Sequence, residues 1–220
     1  MTPATREALK FLCESYWWPL YGYIRRRGYR VEQAEDLTQA FFAKLLEETA
    51  TFQRADPGRG KFRTYLLGAL RHFLSDQSDK VRAVKRGGGQ KLIRLDIDTA
   101  EGRLGTAAAN YTRSPEWYFD REWGLTVLRV SLAELHAEYV REGKATLFEK
   151  LQPSLSGDVT HAAHRNVARE LGTTEGALKV ALHRLRRRYG DCIRREIVRT
   201  LGSAAEVDEE VRHLFEILRS

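Results

Sequence analysis

The stretch "RNVARELGTTEGALKVALHRLRRRY", Arg165 to Tyr189, joins a short apolar-patterned segment to a strongly basic one through Gly172-Thr173-Thr174-Glu175. In a twenty-residue frame opening at His164, Ala168 falls fifth, Gly172 ninth, Leu178 fifteenth and Ala181 eighteenth. Each place has a physical reason: the alanine lets two helices approach, the glycine takes turn backbone that a Cβ would disfavour, and the later apolar pair docks the second helix on the first. Along that second helix Leu178, Leu182, Leu185 and Tyr189 share one narrow stripe at 100° per residue and face inward. The opposite face carries Lys179, His183, Arg184, Arg186 and Arg187, whose reach suits phosphate oxygens and guanine edges in a major groove. The spacing therefore predicts a helix-turn-helix, with Thr173 standing where an apolar residue is more usual.

Working outward, the charge follows the same theme. The 220-residue chain has a formal net charge of +7, 42% hydrophobic and 30% charged residues, enough to bury an ordinary core in one large or two small domains. Arg165 to Arg199 holds ten Lys/Arg against four Asp/Glu, and Lys80 to Arg94 holds six basic residues and no acid. Two separate basic footprints predict two contacts with a polyanion. No uncharged run approaches the roughly 18 apolar residues of a membrane span, and the opening "MTPATREALKFL" lacks the order of a secretory signal, so the expected location is cytoplasmic, with no membrane partner. Cys13 and Cys192 stand far apart without a CxxC or Cys/His cluster, which predicts neither disulfide nor metal site, and no cofactor motif is present.

Helical patterns fill the chain, and the predicted class is all-α, with two helical domains joined by a flexible linker. A helix over about Thr5 to Arg27 ends at Gly28 and is interrupted or restarted at Pro19. From Val31 to Glu48, Ala34, Leu37, Phe41, Phe42 and Leu45 share one face, with Asp36, Gln39, Ala43 and Glu47 opposite. After the breaker "DPGRGK", a third helix runs from Phe62 towards Val84 on Leu66, Leu70, Phe73 and Leu74. Triple glycine and small polar residues then mark a linker over 86–114. Ser114, Pro115 and Glu116 make a good start for a long helix to about Arg141 on Trp117, Val127, Leu128, Leu132, Leu135 and Tyr139. The predicted organisation is thus a bundle over 1–85, the linker over 86–114, a second domain over 115–199 and an amphipathic extension over 200–220. The extension's stripe of Val207, Val211, Leu214, Phe215 and Leu218 is expected to pack back on the C-terminal unit.

Two N-terminal segments give this organisation a family likeness. "AEDLTQAFFAKLLEE" (Ala34 to Glu48) followed by "FRTYLLGALRHFLSD" (Phe62 to Asp76) resembles region 2 of bacterial sigma factors. "VARELGTTEGALKVALHRLRRRY" is similar to their region 4, and the order of the motifs resembles the extracytoplasmic-function (ECF) group. The resemblance implies a non-enzymatic protein that binds core RNA polymerase, recognises promoter DNA and supports promoter opening. It implies that Asp36, Gln39 and Ala40, with Ala43 and Glu47 alongside, dock on the β′ clamp helices. Tyr65, Arg71, His72, Ser75 and Asp76 would contact bases at the upstream edge of the bubble, with Lys80, Arg82, Lys85 and Arg86 on phosphates. Tyr65 stands where many relatives have Trp and His72 where Asn is common, so their base preference does not transfer. In region 4, Thr174, Glu175, Lys179, His183 and Arg184 would lie near the upstream promoter element and Arg187 and Arg188 on phosphate, with pairing to an acidic neighbour the alternative for Arg188, which points partly sideways. "LFEKLQPSLSGD" replaces the usual "LP…R" pattern before the turn, which loosens the placement of the β-flap contact. An anti-sigma factor is a further partner the family allows.

Two other classes compete. A helix-turn-helix regulator that never joins polymerase leaves the "DLTQ" helix unexplained. An enzyme would rest on "HAAH", His161 and His164, with no third ligand or general base near them.

Overall fold

The computed structural model describes residues 3–47, 62–84, 113–155, 161–201 and 206–219, and every regular element among them is a helix. In chain order these are α1 (Pro3–Arg26), α2 (Val31–Glu47), α3 (Phe62–Val84), α4 (Pro115–Arg141), α5 (Ala145–Leu151) with a 3-10 turn (Gln152–Leu155), α6 (His161–Glu170), α7 (Glu175–Leu201) and α8 (Val207–Arg219). They form two compact units, Met1–Thr126 with Thr200–Ser220, and Val127–Arg199. The predicted linker, apart from Arg113 and Ser114, lies outside the described residues.

In the first unit α1 turns into α2 at Gly28, whose φ of 91° is backbone that side-chain-bearing residues rarely adopt. Arg25 Nη1 closes the turn by donating to the Tyr29 carbonyl at 2.6 Å, and Gln33 Oε1 accepts from the Arg30 N–H at 3.1 Å, half of a capping box. Contrary to the expected break, α1 runs through Pro19. Leu20, Tyr21, Tyr23 and Ile24 beyond it are all buried, and this packing offsets the roughly 3 kcal/mol of an interior proline. Against them lie Ala34, Phe41, Phe42 and Leu45 of α2, and Leu66, Leu70, Phe73 and Leu74 of α3. Thr38 is buried too; its hydroxyl donates to the Ala34 carbonyl at 2.6 Å, which removes the cost of taking it from water. The start of α4 adds Tyr118, Phe119 and Trp123, all but inaccessible to solvent.

α8 completes this unit, and here the expectation that the extension packs on the C-terminal unit is corrected. Arg63 of α3 is buried and grips Glu210 of α8 in a two-pronged bond, Nε to Oε2 at 3.0 Å and Nη2 to Oε1 at 3.2 Å, while Nη1 donates to Asp120 of α4. Its guanidinium carbon lies 5.0 Å from the Trp123 ring centre. Burial alone would lower the Arg63 pKa, but the bonds and charges of Glu210 and Asp120 reverse this and raise it. Leu214 and Leu218 press on Gly124: a Cβ built there would meet Leu214 Cδ1 at 2.8 Å.

In the second unit the later part of α4, α5, α6 and α7 enclose Leu135, Tyr139, Phe148, Leu151, Ala168, Leu178, Leu182, Leu185 and Cys192. Two helices end in the same way. After α4 the Lys144 N–H reaches the Tyr139 carbonyl (2.8 Å) and Gly143 N–H that of Val140 (3.0 Å), and after α6 Thr173 reaches Ala168 (2.9 Å) and Gly172 reaches Arg169 (3.1 Å). These are Schellman caps, and Gly143 and Gly172 take the required positive φ, 69° and 62°. The Tyr189 hydroxyl donates to the Leu128 carbonyl at 3.0 Å, and burial pushes its pKa up to about 12.

Candidate functional site

On α2 the apolar stripe against α1 and α3 dictates what is left for solvent. Asp36, Ala43 and Glu47 are exposed, and Gln39 and Ala40 half-buried, on a face distinct from Ala34, Thr38, Phe41 and Leu45. The five residues therefore lie on a helical surface whose small Ala40 and Ala43 leave room for another helix between acidic and amide groups.

The same logic orders α3. Leu66, Leu70, Phe73 and Leu74 are buried, which leaves Tyr65, Arg71, His72, Ser75 and Asp76 exposed, Tyr65 at 44%. Tyr65, Arg71 and Asp76 are engaged within the unit, Tyr65 with its ring centre 6.4 Å from that of Phe62. Asp76 lies 3.9 Å from Lys44 of α2, and Arg71 Nη2 donates to Glu116 Oε1 at 2.6 Å while its Nε reaches the Tyr23 hydroxyl at 3.3 Å. The Tyr23 bond and then the Glu116 bond raise the Arg71 pKa. Burial opposes ionisation of Glu116, yet its own backbone N–H and Arg71 hold it below the ordinary carboxylate value. The side chains of Lys80 and Arg82, and Lys85 and Arg86 entirely, lie outside the described residues.

At the corner of the second unit, Ala168 and Leu178 are buried and Ala181 half-buried, so the two helices meet on the side the spacing indicated. Thr174 caps α7: its hydroxyl accepts from the Ala177 N–H at 3.1 Å. Along α7, Lys179, His183, Arg184 and Arg187 are exposed on one side, with Glu175 at its first turn. Arg186 reaches the Ser154 carbonyl at 2.9 Å. Arg188 turns to acid partners, Glu138 at 2.8 Å and Glu142 at 2.7 Å, and its guanidinium carbon stands 4.5 Å from the Tyr139 ring centre. Its bond to Glu142, followed by that of Lys144, holds the Glu142 carboxyl down at about 2. Arg195 likewise spans Glu134 and Glu138, at 3.2 and 2.8 Å. The sequence allowed an acidic neighbour for Arg188 as the alternative to phosphate, but it could not name Glu138 and Glu142 or foresee the pairing of Arg195, because nothing in a pattern shows which exposed glutamates face which arginines.

Chemically, the two units offer a helix with a polar face, an exposed helix of mixed aromatic and ionisable side chains, and a capped helix with a cationic face. Among the described residues no group of three or more His, Cys, Asp and Glu is placed to hold a metal ion, and no helix is long and apolar enough to cross a membrane. No curated protein and no solved structure matches the chain. Residues 12–83 match the model of the family Sigma-70 region 2, and the match supports a sigma factor's role in binding polymerase and recognising promoters.

Proposed function

We propose that this chain is a sigma factor of the ECF group that recruits core RNA polymerase, recognises promoter DNA with both units and helps to open it, without covalent chemistry of its own. The observation that carries the proposal is the match over 12–83 to a helix pair whose polar face remains open on α2 and whose aromatic and ionisable face remains open on α3. On this reading Asp36, Gln39, Ala40, Ala43 and Glu47 dock on the β′ clamp helices. Tyr65, Arg71, His72, Ser75 and Asp76 meet the bubble's upstream edge, and Lys80, Arg82, Lys85 and Arg86 meet phosphates. On the same reading Thr174, Glu175, Lys179, His183, Arg184 and Arg187 meet the upstream promoter element, with the β flap near the same unit. An exposed cationic helix face opposite a buried leucine stripe supports this assignment. The place of action is the cytoplasm, where an anti-sigma factor could compete for the same faces.

The test is co-elution with sigma-free core polymerase. Wild type should elute with the enzyme, and Asp36→Ala/Gln39→Ala should weaken the complex at least tenfold while keeping its melting temperature. Retained DNA binding without polymerase association would instead favour a plain helix-turn-helix regulator.

A further inference from the structure

Cations make up most of the exposed face of α7, yet the residue at the middle of that face is apolar. At 100° per residue Val180 stands about 170° from the centre of the stripe of Leu178, Leu182, Leu185 and Tyr189, and it is 50% exposed. His183 and Arg184 lie one turn ahead of it on the same side and Arg187 a further turn on, while Gly176 and Ala177 lie one turn behind; all five are exposed. Among the described residues Val180 is the one large exposed apolar side chain in the first three turns of α7.

The fold asks for neither Val180 nor Gly176. A half-exposed valine adds little burial and is a weaker helix former than alanine or lysine. A Cβ built on Gly176 would meet nothing nearer than Thr174 Oγ1, at 3.9 Å, and the glycine has no positive φ, so neither packing nor backbone requires it there. Together they make the first two turns small and apolar at the end of the helix that the Thr174 cap fixes. In a helix-turn-helix those turns of the second helix reach base edges, while cations along it meet phosphates. Base edges in the major groove are mostly hydrogen-bond donors and acceptors, and a valine pressed on them takes away their water and returns nothing. The apolar group available there is the C5 methyl of thymine. Branching at Cβ holds a helical valine in one main rotamer, so its methyl groups meet that partner with little loss of freedom.

We propose that Val180 is a specificity-determining residue that reads the C5 methyl of a thymine in the major groove, with Gly176 and Ala177 allowing the helix to approach closely. This deepens the proposed contact of α7 with promoter DNA and does not depend on polymerase, whose binding is tested separately by co-elution. The experiment is selection from duplexes with a randomised central segment by the full chain, alone and with core polymerase, followed by sequencing of the bound fraction. Wild type should enrich thymine at one position that Val180→Ser no longer selects, with the remaining positions and the salt slope unchanged; Val180→Ile, which keeps an apolar tip, should retain the preference. In the best-bound duplex, uracil in place of that thymine removes only the methyl. It should weaken wild type about fourfold, the worth of one buried methyl at roughly 0.8 kcal/mol, and leave Val180→Ser unaffected. The uracil arm reads wild type alone and stands whether or not a variant folds. No sequence enriched in either arm, a thymine preference that survives Val180→Ser, or equal binding of uracil and thymine duplexes by wild type would each overturn the proposal.

Discussion

At the scale of single residues, the most consequential contact is one that the amino-acid pattern hides. Arg63 and Glu210 are 147 positions apart, and each alone reads as a surface charge. Once paired, both are removed from water, so breaking the pair leaves an uncompensated buried charge. Arg63→Ala should destabilise the first unit by about 3–5 kcal/mol in denaturant unfolding. Glu210→Gln, which keeps a hydrogen-bonding group in place, should cost less. A second residue-scale prediction concerns acid. The Glu142 carboxyl is held at about 2, below the ordinary 4.5, by Arg188 and then Lys144. A depressed folded-state pKa contributes stability that is fully present above the unfolded value and is lost as pH falls through the folded one. The melting temperature should therefore decline between about pH 4.5 and pH 2, and Glu142→Gln should make that decline shallower.

Among elements, legibility depended on whether a helix had one buried face or several. α2 was readable because Ala34, Phe41, Phe42 and Leu45 repeat at helical spacing and are all buried; Thr38 escaped because its type is polar and only its bond to Ala34 makes burial tolerable. The early part of α4 was less readable. Trp117, Tyr118, Phe119 and Trp123 lie on several sides of the helix among Glu116, Asp120, Arg121 and Glu122, so no single apolar stripe marks it. α8 shows a third case: amphipathicity told that one face would be covered and could not tell by what. The polar face of α2 and the cationic face of α7 were legible as what the apolar stripes left over, whereas the tethering of Arg71 by Tyr23 and Glu116 was not. Two predictions belong here. Thr174→Ala should cost about 1 kcal/mol by uncapping α7, with Thr174→Ser near neutral in the same unfolding measurement. Gly124→Ala should cost about 1–3 kcal/mol, because Leu214, fully buried, has little room to retreat from the new methyl.

Over the whole molecule, positive charge is divided between arginines that hold the fold and arginines on the surface. The formal +7 overstates neither, since Arg63, Arg188 and Arg195 are balanced by carboxylates while Lys179, Arg184 and Arg187 stand exposed on α7. Lys179→Gln/Arg184→Gln/Arg187→Gln should accordingly leave the melting temperature within a degree or two and reduce the salt slope of duplex binding by about 2.7, three contacts at roughly 0.9. A fall in stability without a change in slope would assign that face to folding instead.

The junction of α8 with α3 also sets a clock. At about 5–20 residues per second, synthesis needs about 7 to 30 s to pass from Arg63 to Glu210. In the later part of that interval, once Asp120 and Gly124 have been made, the nascent first unit carries an arginine with half of its eventual partners and a hollow beside Gly124. The unit that begins first is thus finished last, and a chain cut short before α8 would yield a substrate for proteolysis rather than a working fragment.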